Sequence, residues 1–170
     1  PVVVVFLRHL GCRFCMHMAK AVGQLVPDLE KAGVSLALVS LGTREEGALW
    51  KEDVGFQGQL LLDDTSSRLV ADACSPTGKR SLLYTAFFRL SRQDDLLSDA
   101  RVLAAAERVT KAGSTDWLHA DVPRADGEYP GDVRQLGGLF VMGPGNECRM
   151  AFRMRYAGDE PDLNDVMAAA

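Results

Sequence analysis

Cys12 and Cys15 stand two residues apart in Phe6-Leu7-Arg8-His9-Leu10-Gly11-Cys12-Arg13-Phe14-Cys15, and this pair is the strongest chemical signal in the sequence. An apolar run ends just before it and a helical pattern begins on it. A helix N-terminus carries partial positive charge and N–H groups without intrahelical partners, and both favour thiolate over thiol. The thiolate is the nucleophilic form of cysteine. A second thiol one turn along can then close a disulfide onto an oxidised first sulfur. The spacing predicts thiol–disulfide redox chemistry, with Cys12 reachable at the helix start as the attacking sulfur and Cys15, which opens a buried stripe, as the resolving one. Arg8, His9 and Arg13 bring positive charge or hydrogen-bond donors close by, which lowers a thiol pKa further.

Other uses of these residues fit less well. Two inert, buried cysteines are the plain alternative, but a CxxC between a strand and a helix favours redox chemistry. His9, Cys12, Cys15 and His17 resemble half of a zinc site, and the sequence holds no second CxxC or HxxxH to complete it. Haem attachment through CxxCH fails because Met16 follows Cys15. Cys74 and Cys148 stand singly and far away, which leaves an iron–sulfur cluster short of ligands. A metal or cluster bridging the CxxC motifs of two subunits is a minor alternative, and no metal or other cofactor is expected. His119 reads as a surface histidine, and the methionines as core.

The elements that must position the pair follow from hydrophobic periodicity. At 170 residues, 47% hydrophobic and 25% charged, the chain suits a single globular domain with a real core. A net charge of −4 argues against a nucleic-acid or anionic-membrane surface. No apolar run approaches the ~20 residues that span a bilayer. The sparse cysteines fit a reducing compartment such as the cytosol, the nucleus or an organelle matrix. A start on Pro1, directly at a strand, fits a processed chain or one whose upstream segment is missing.

Residues 2–7 form a β-branched run expected of a strand buried on both faces. A helix is predicted over about 12–31, with Cys15, Ala19, Val22, Val26 and Leu29 on one face and a kink at Pro27. A strand over 34–41 completes a βαβ unit. Thr43 caps a helix running to Val54, and residues 59–62 make a third strand. Helices are expected at 65–74 and 79–88, on either side of a breaker at 75–78, and again at 94–112. Residues 113–136 read as a long irregular connection. Strands at 139–142 and 148–154 form a hairpin, and a helix over 161–169 closes the chain. The order βαβαβ, helical insert, ββα predicts an α/β fold of thioredoxin-like type: a mixed sheet covered by helices, with an insert at about 75–135. In that arrangement the loop before the final hairpin faces the helix that carries the cysteines. This makes Arg134 a candidate for steadying a thiolate or a bound oxygen.

The segment from Phe6 to Cys15 resembles the FLRHxGCxFC signature of the CxxC-bearing peroxiredoxin-like proteins. These belong to the alkyl hydroperoxide reductase/thiol-specific antioxidant superfamily, in the branch that includes prostamide/prostaglandin F synthase. The stretches Gln135-Leu136-Gly137-Gly138-Leu139-Phe140-Val141-Met142-Gly143-Pro144-Gly145 and Gly158-Asp159-Glu160-Pro161-Asp162-Leu163 are similar to the same branch. The likeness covers residues 2–64 and 133–169 well and the insert only loosely. It implies a thioredoxin-like fold and a thiol oxidoreductase recharged by thioredoxin or a similar dithiol donor. The oxidants it implies are hydroperoxides, endoperoxides or protein disulfides. The roles it carries over fall on Cys12 and Cys15, with Arg8 and His9 as neighbours.

The standard peroxiredoxin motif, Pro-x-x-x-Thr/Ser-x-x-Cys, is absent. Counting back from Cys15 meets Cys12 and Arg8, and counting back from Cys12 meets His9 and Val5. Fast peroxide reduction of the standard kind is therefore not expected. The family register puts Cys15 in the peroxidatic slot, whereas exposure favours Cys12. Gly137-Gly138 replaces thioredoxin's cis-proline and leaves room there for a substrate. An alternative function is a non-catalytic thioredoxin-like subunit that docks into a larger assembly through residues 94–136.

Overall fold

The computed structural model describes residues 1–63, 93, 98–110 and 135–170. Among the described residues five strands form one mixed sheet: β1 (Val2–Phe6), β2 (Ser35–Leu41), β3 (Gln59–Asp63), β4 (Gly138–Met142) and β5 (Cys148–Arg153), in the order β3-β2-β1-β4-β5. β1 runs parallel to β2 and antiparallel to β4, and β2 runs parallel to β3. β1 and β2 are covered on both faces, which explains their nearly unbroken apolar character. This is the thioredoxin-like α/β arrangement, and it delivers the chain from the centre of the sheet straight into the Cys pair.

The described helices are α1 (Arg13–Gly23), α2 (Val26–Lys31), α3 (Arg44–Val54), α4 (Ala100–Thr110) and α5 (Leu163–Ala169). One core packs Val3 and Val5 of β1, Leu36 and Leu38 of β2, and Leu139 and Val141 of β4 against Phe14, Cys15, Met18 and Val22 of α1. Val102, Ala105 and Ala106 of α4 join the same core. On the opposite face Phe6, Val39, Leu41 and Phe140 make a second cluster, in which the Phe6 and Phe140 rings meet edge to face at 5.8 Å.

Two helix predictions need correction. The expected continuous helix over 12–31 is two helices. α1 ends at Gly23, and tight bonds from Gln24 N to Ala21 O (3.2 Å) and from Leu25 N to Val22 O (3.0 Å) turn the chain. Pro27 therefore falls in the first turn of α2, where its missing N–H has no intrahelical acceptor to lose and no kink results. The helix expected from Asp94 starts at Ala100. Asp99 Oδ1 accepts from the backbone N–H of Arg101 at 2.9 Å and so caps the first turn of that helix.

α3 starts where Thr43 predicts. Thr43 Oγ1 accepts from Glu46 N at 3.3 Å and Glu46 Oε2 accepts from Thr43 N at 2.7 Å, a reciprocal capping box. The helices expected at 65–74 and 79–88, and the connection at 113–134, lie outside the described residues. Among the described residues no helix is long and apolar enough to cross a membrane.

Candidate active site

The turn from β1 into α1 is tied at both ends. Leu7 N donates to Val39 O at 2.8 Å, prolonging the β1–β2 ladder, and Cys12 N donates to His9 O at 3.2 Å. Cys12 then has extended backbone angles (φ −78°, ψ 116°) and is the N-cap of α1. Its Sγ accepts from Cys15 N at 3.4 Å, the place that a serine or aspartate oxygen fills in an ordinary cap.

Arg8 joins the two sulfurs. Its backbone N–H donates to Cys15 Sγ at 3.2 Å, and its Nη1 donates to Cys12 Sγ at 3.5 Å. Its Nε donates to the main-chain oxygen of Gln135, just before β4, at 3.2 Å. The guanidinium is buried, so its charge acts with little screening by water. Both cysteines are free thiols.

This geometry separates the two acidities. Burial opposes ionisation of Cys12, but the hydrogen bond from the Cys15 thiol, the Arg8 charge and the Cys15 backbone N–H outweigh it and lower its pKa to about 6. Burial pushes Cys15 the other way, well above the usual thiol range, and its hydrogen bond to Cys12 and the neighbouring Cys12 charge reinforce the shift. Near neutral pH the site holds a thiolate at position 12 and a thiol at position 15.

Several sequence expectations are revised here. Cys12 was expected to face solvent, yet it is only 5% exposed, because its sulfur turns inward to cap α1 and meet Arg8. Cys15 is fully buried as well. His9 supplies no positive charge: burial, and then the Arg8 charge, lower its pKa to about 3, which leaves it neutral at pH 7. Of the three basic candidates, Arg8 is the one whose charge acts on Cys12. Arg13 is exposed, with Nη1 3.9 Å from Met16 Sδ. His17 is paired with Glu160 at 2.8 Å across the outer face of α1.

The room expected at Gly137 is filled. A Cβ there would collide with the Phe6 carbonyl oxygen and come within 3.3 Å of Met154 Sδ, so this glycine serves the close approach of two backbones. Gly138 is buried and paired with Phe6 and Arg153 in the sheet. Arg134 lies outside the described residues. The docking stretch at 94–136 does so in large part, and the apolar face of α4 within it is spent on the core. Gln135 was not singled out from sequence. The signal available was its position two residues ahead of Gly137, on the loop expected to face the cysteines.

Residues 23–156 match the family model described as AhpC/TSA antioxidant enzyme. The chain belongs to that family. The matched span begins after the Cys pair, so the assignment stands independently of the CxxC. Among similar proteins, "Prostamide/prostaglandin F synthase" of Salmo salar is 28% identical over 171 residues, covering 99% of this chain and 74% of the relative. "Peroxiredoxin-like 2A" of Bos taurus is 25% identical, covering 99% and 65%. "Thioredoxin-like protein AAED1, chloroplastic" of Arabidopsis thaliana is 23% identical, covering 98% and 60%. The family is peroxiredoxin-like and thioredoxin-folded, and its relatives carry the names of a synthase and of peroxiredoxin-like proteins.

Proposed function

We propose that this protein is a dithiol–disulfide oxidoreductase in which Cys12 is the nucleophile and Cys15 the resolving thiol. The observation that carries this reading is the Arg8 clasp, which favours the thiolate at position 12 and holds the second sulfur one turn away. With a hydroperoxide or endoperoxide, the Cys12 thiolate attacks one oxygen, the O–O bond breaks, and the other oxygen departs with the electron pair and takes a proton. With a hydroperoxide the product at sulfur is a sulfenic acid, and attack by Cys15 releases water and closes the disulfide. With a protein disulfide, the same attack gives a mixed disulfide that Cys15 resolves. A dithiol donor such as thioredoxin then returns the pair to two thiols by exchange.

Such a cycle works in a reducing compartment, the cytosol or an organelle matrix, where a dithiol donor is maintained. The name of the Arabidopsis thaliana relative, which places that protein in the chloroplast, supports an organelle setting. The test is mass spectrometry of reduced protein challenged with hydroperoxide and then with reduced thioredoxin. A Cys12–Cys15 bridge that forms and is reversed, and that Cys12→Ser abolishes, is the expected result. A Cys12→Ser variant that keeps full reductase activity overturns the reading.

A further inference from the structure

Gln135 carries a feature that the thiol cycle above does not use. The residue is 5% exposed, and its side-chain Nε2 is buried without a hydrogen-bond partner. Folded proteins retain few such donors, because the group gives up water and gains nothing in return. The main chain of the same residue reaches the reactive site. The Gln135 main-chain oxygen accepts from Arg8 Nε, and the same guanidinium donates to Cys12 Sγ through Nη1. A single planar group therefore links the Gln135 main chain to the Cys12 sulfur. The backbone here has little freedom to move away: Gly137, two residues on, abuts the carbonyl of Phe6 at the end of β1, and Leu136 between them is buried.

We propose that the Gln135 amide donates a hydrogen bond to the departing atom when Cys12 attacks its oxidant, which makes Gln135 a catalytic residue. The inference rests on the oxidoreductase reading. When the thiolate displaces at an O–O or S–S bond, a new bond forms to Cys12 Sγ. The departing oxygen or sulfur leaves with the electron pair and later collects a proton from water. Negative charge thus moves away from Cys12 during the step. Arg8 directs N–H groups at Cys12 Sγ and at the Gln135 carbonyl, and the orphaned Gln135 amide offers a separate, neutral donor for the departing charge. An uncharged amide suits the task, since it adds no fixed charge beside the sulfur. The substrates it favours have a departing atom that accepts a hydrogen bond, as hydroperoxides and disulfides do.

The test compares wild type with Gln135→Met, which keeps the length of the side chain and removes the donor. Three probes are used: cumene hydroperoxide, oxidised glutathione, and iodoacetamide, whose departing iodide accepts hydrogen bonds poorly. The expected result is a loss of roughly 10- to 100-fold in Cys12 oxidation by the first two. Alkylation by iodoacetamide and the titration of the Cys12 thiolate are expected to stay unchanged. Oxidation at the wild-type rate overturns the inference, and so does equal slowing of all three reactions, which marks a residue that only shapes the thiolate. Wild-type protein that is alkylated at Cys12 yet inert to both oxidants overturns the oxidoreductase reading itself. Gln135→Leu gives the same readouts if the Met variant loses its fold.

Discussion

Arg8 Nη1 donates to Cys12 Sγ at 3.5 Å from a buried position, so a guanidinium and a thiolate share a site from which water is largely excluded. Each makes the other's burial tolerable, and removing one leaves the other uncompensated. Arg8→Met is expected to raise the Cys12 pKa from about 6 toward the ordinary thiol range. At neutral pH that cuts the thiolate fraction, and with it the rate of Cys12 alkylation, by about tenfold. Thiolate absorbance followed against pH checks the shift. An unchanged titration would remove Arg8 from the account of the site.

Gly158 fixes the ring of Phe14 beside the Cys pair. Its φ is +85°, and an added Cβ would lie 2.6 Å from Ala105 Cβ and 2.8 Å from Phe14 Cε1. The position combines backbone strain for any L side chain with a full pocket. Gly158→Ala is expected to destabilise the fold by about 2 kcal/mol or more. The shift of Phe14, next to Cys15 on α1, carries into the site. Chemical denaturation measures the loss, and a midpoint equal to that of wild type refutes this account of the packing.

Pro27 separates what composition shows from what only the folded chain shows. Proline in a helix interior costs about 3 kcal/mol, so a kinked helix over 12–31 predicts a large gain for Pro27→Ala. In the first turn of α2 the same substitution is expected to change stability by no more than about 1 kcal/mol. Urea unfolding of Pro27→Ala decides between them, and a gain near the larger figure would restore the single kinked helix.

The sheet was legible because Val2–Phe6 and Ser35–Leu41 are apolar on both faces, a pattern that only a central strand requires. The capping box at Thr43 and Glu46 was legible because its bonds join residues three apart. The break at Gln24 and Leu25 was hidden, since the apolar spacing runs on through it. The start at Ala100 was hidden too, because the alanine-rich periodicity outweighed the local Asp99 turn. Cys12 and Cys15 were found from their spacing alone, and Arg8 from its closeness in sequence. What could not be read was the inward turn of the Cys12 sulfur, the neutrality of His9 and the arrival of Gln135. Each depends on burial or on a contact between residues 127 positions apart.

The acidities of the site make folding stability depend on pH in two adjoining windows. Cys12 titrates at about 6 in the folded protein against an ordinary value of 9.0, so between those values the unfolded chain holds a proton that the folded one lacks. Stability therefore rises with pH across this window, by at most about 1.4 kcal/mol per pH unit, and is lost as pH falls toward 6. Cys15, with its raised pKa, contributes nothing below 9.0 because it is protonated in both states there, and it opposes the trend only at higher pH. His9 extends the trend downward: it ordinarily titrates at 6.5 but at about 3 when folded, so acidification charges the unfolded chain first and removes stability between those values. Urea midpoints under reducing conditions should climb from about pH 4 to about pH 9. Cys12→Ser should flatten the upper part of that climb and His9→Gln the lower part. A wild-type profile that is level between about pH 6 and about pH 9 would show that the Cys12 thiolate is not favoured by the fold, and the nucleophile would have to be sought elsewhere.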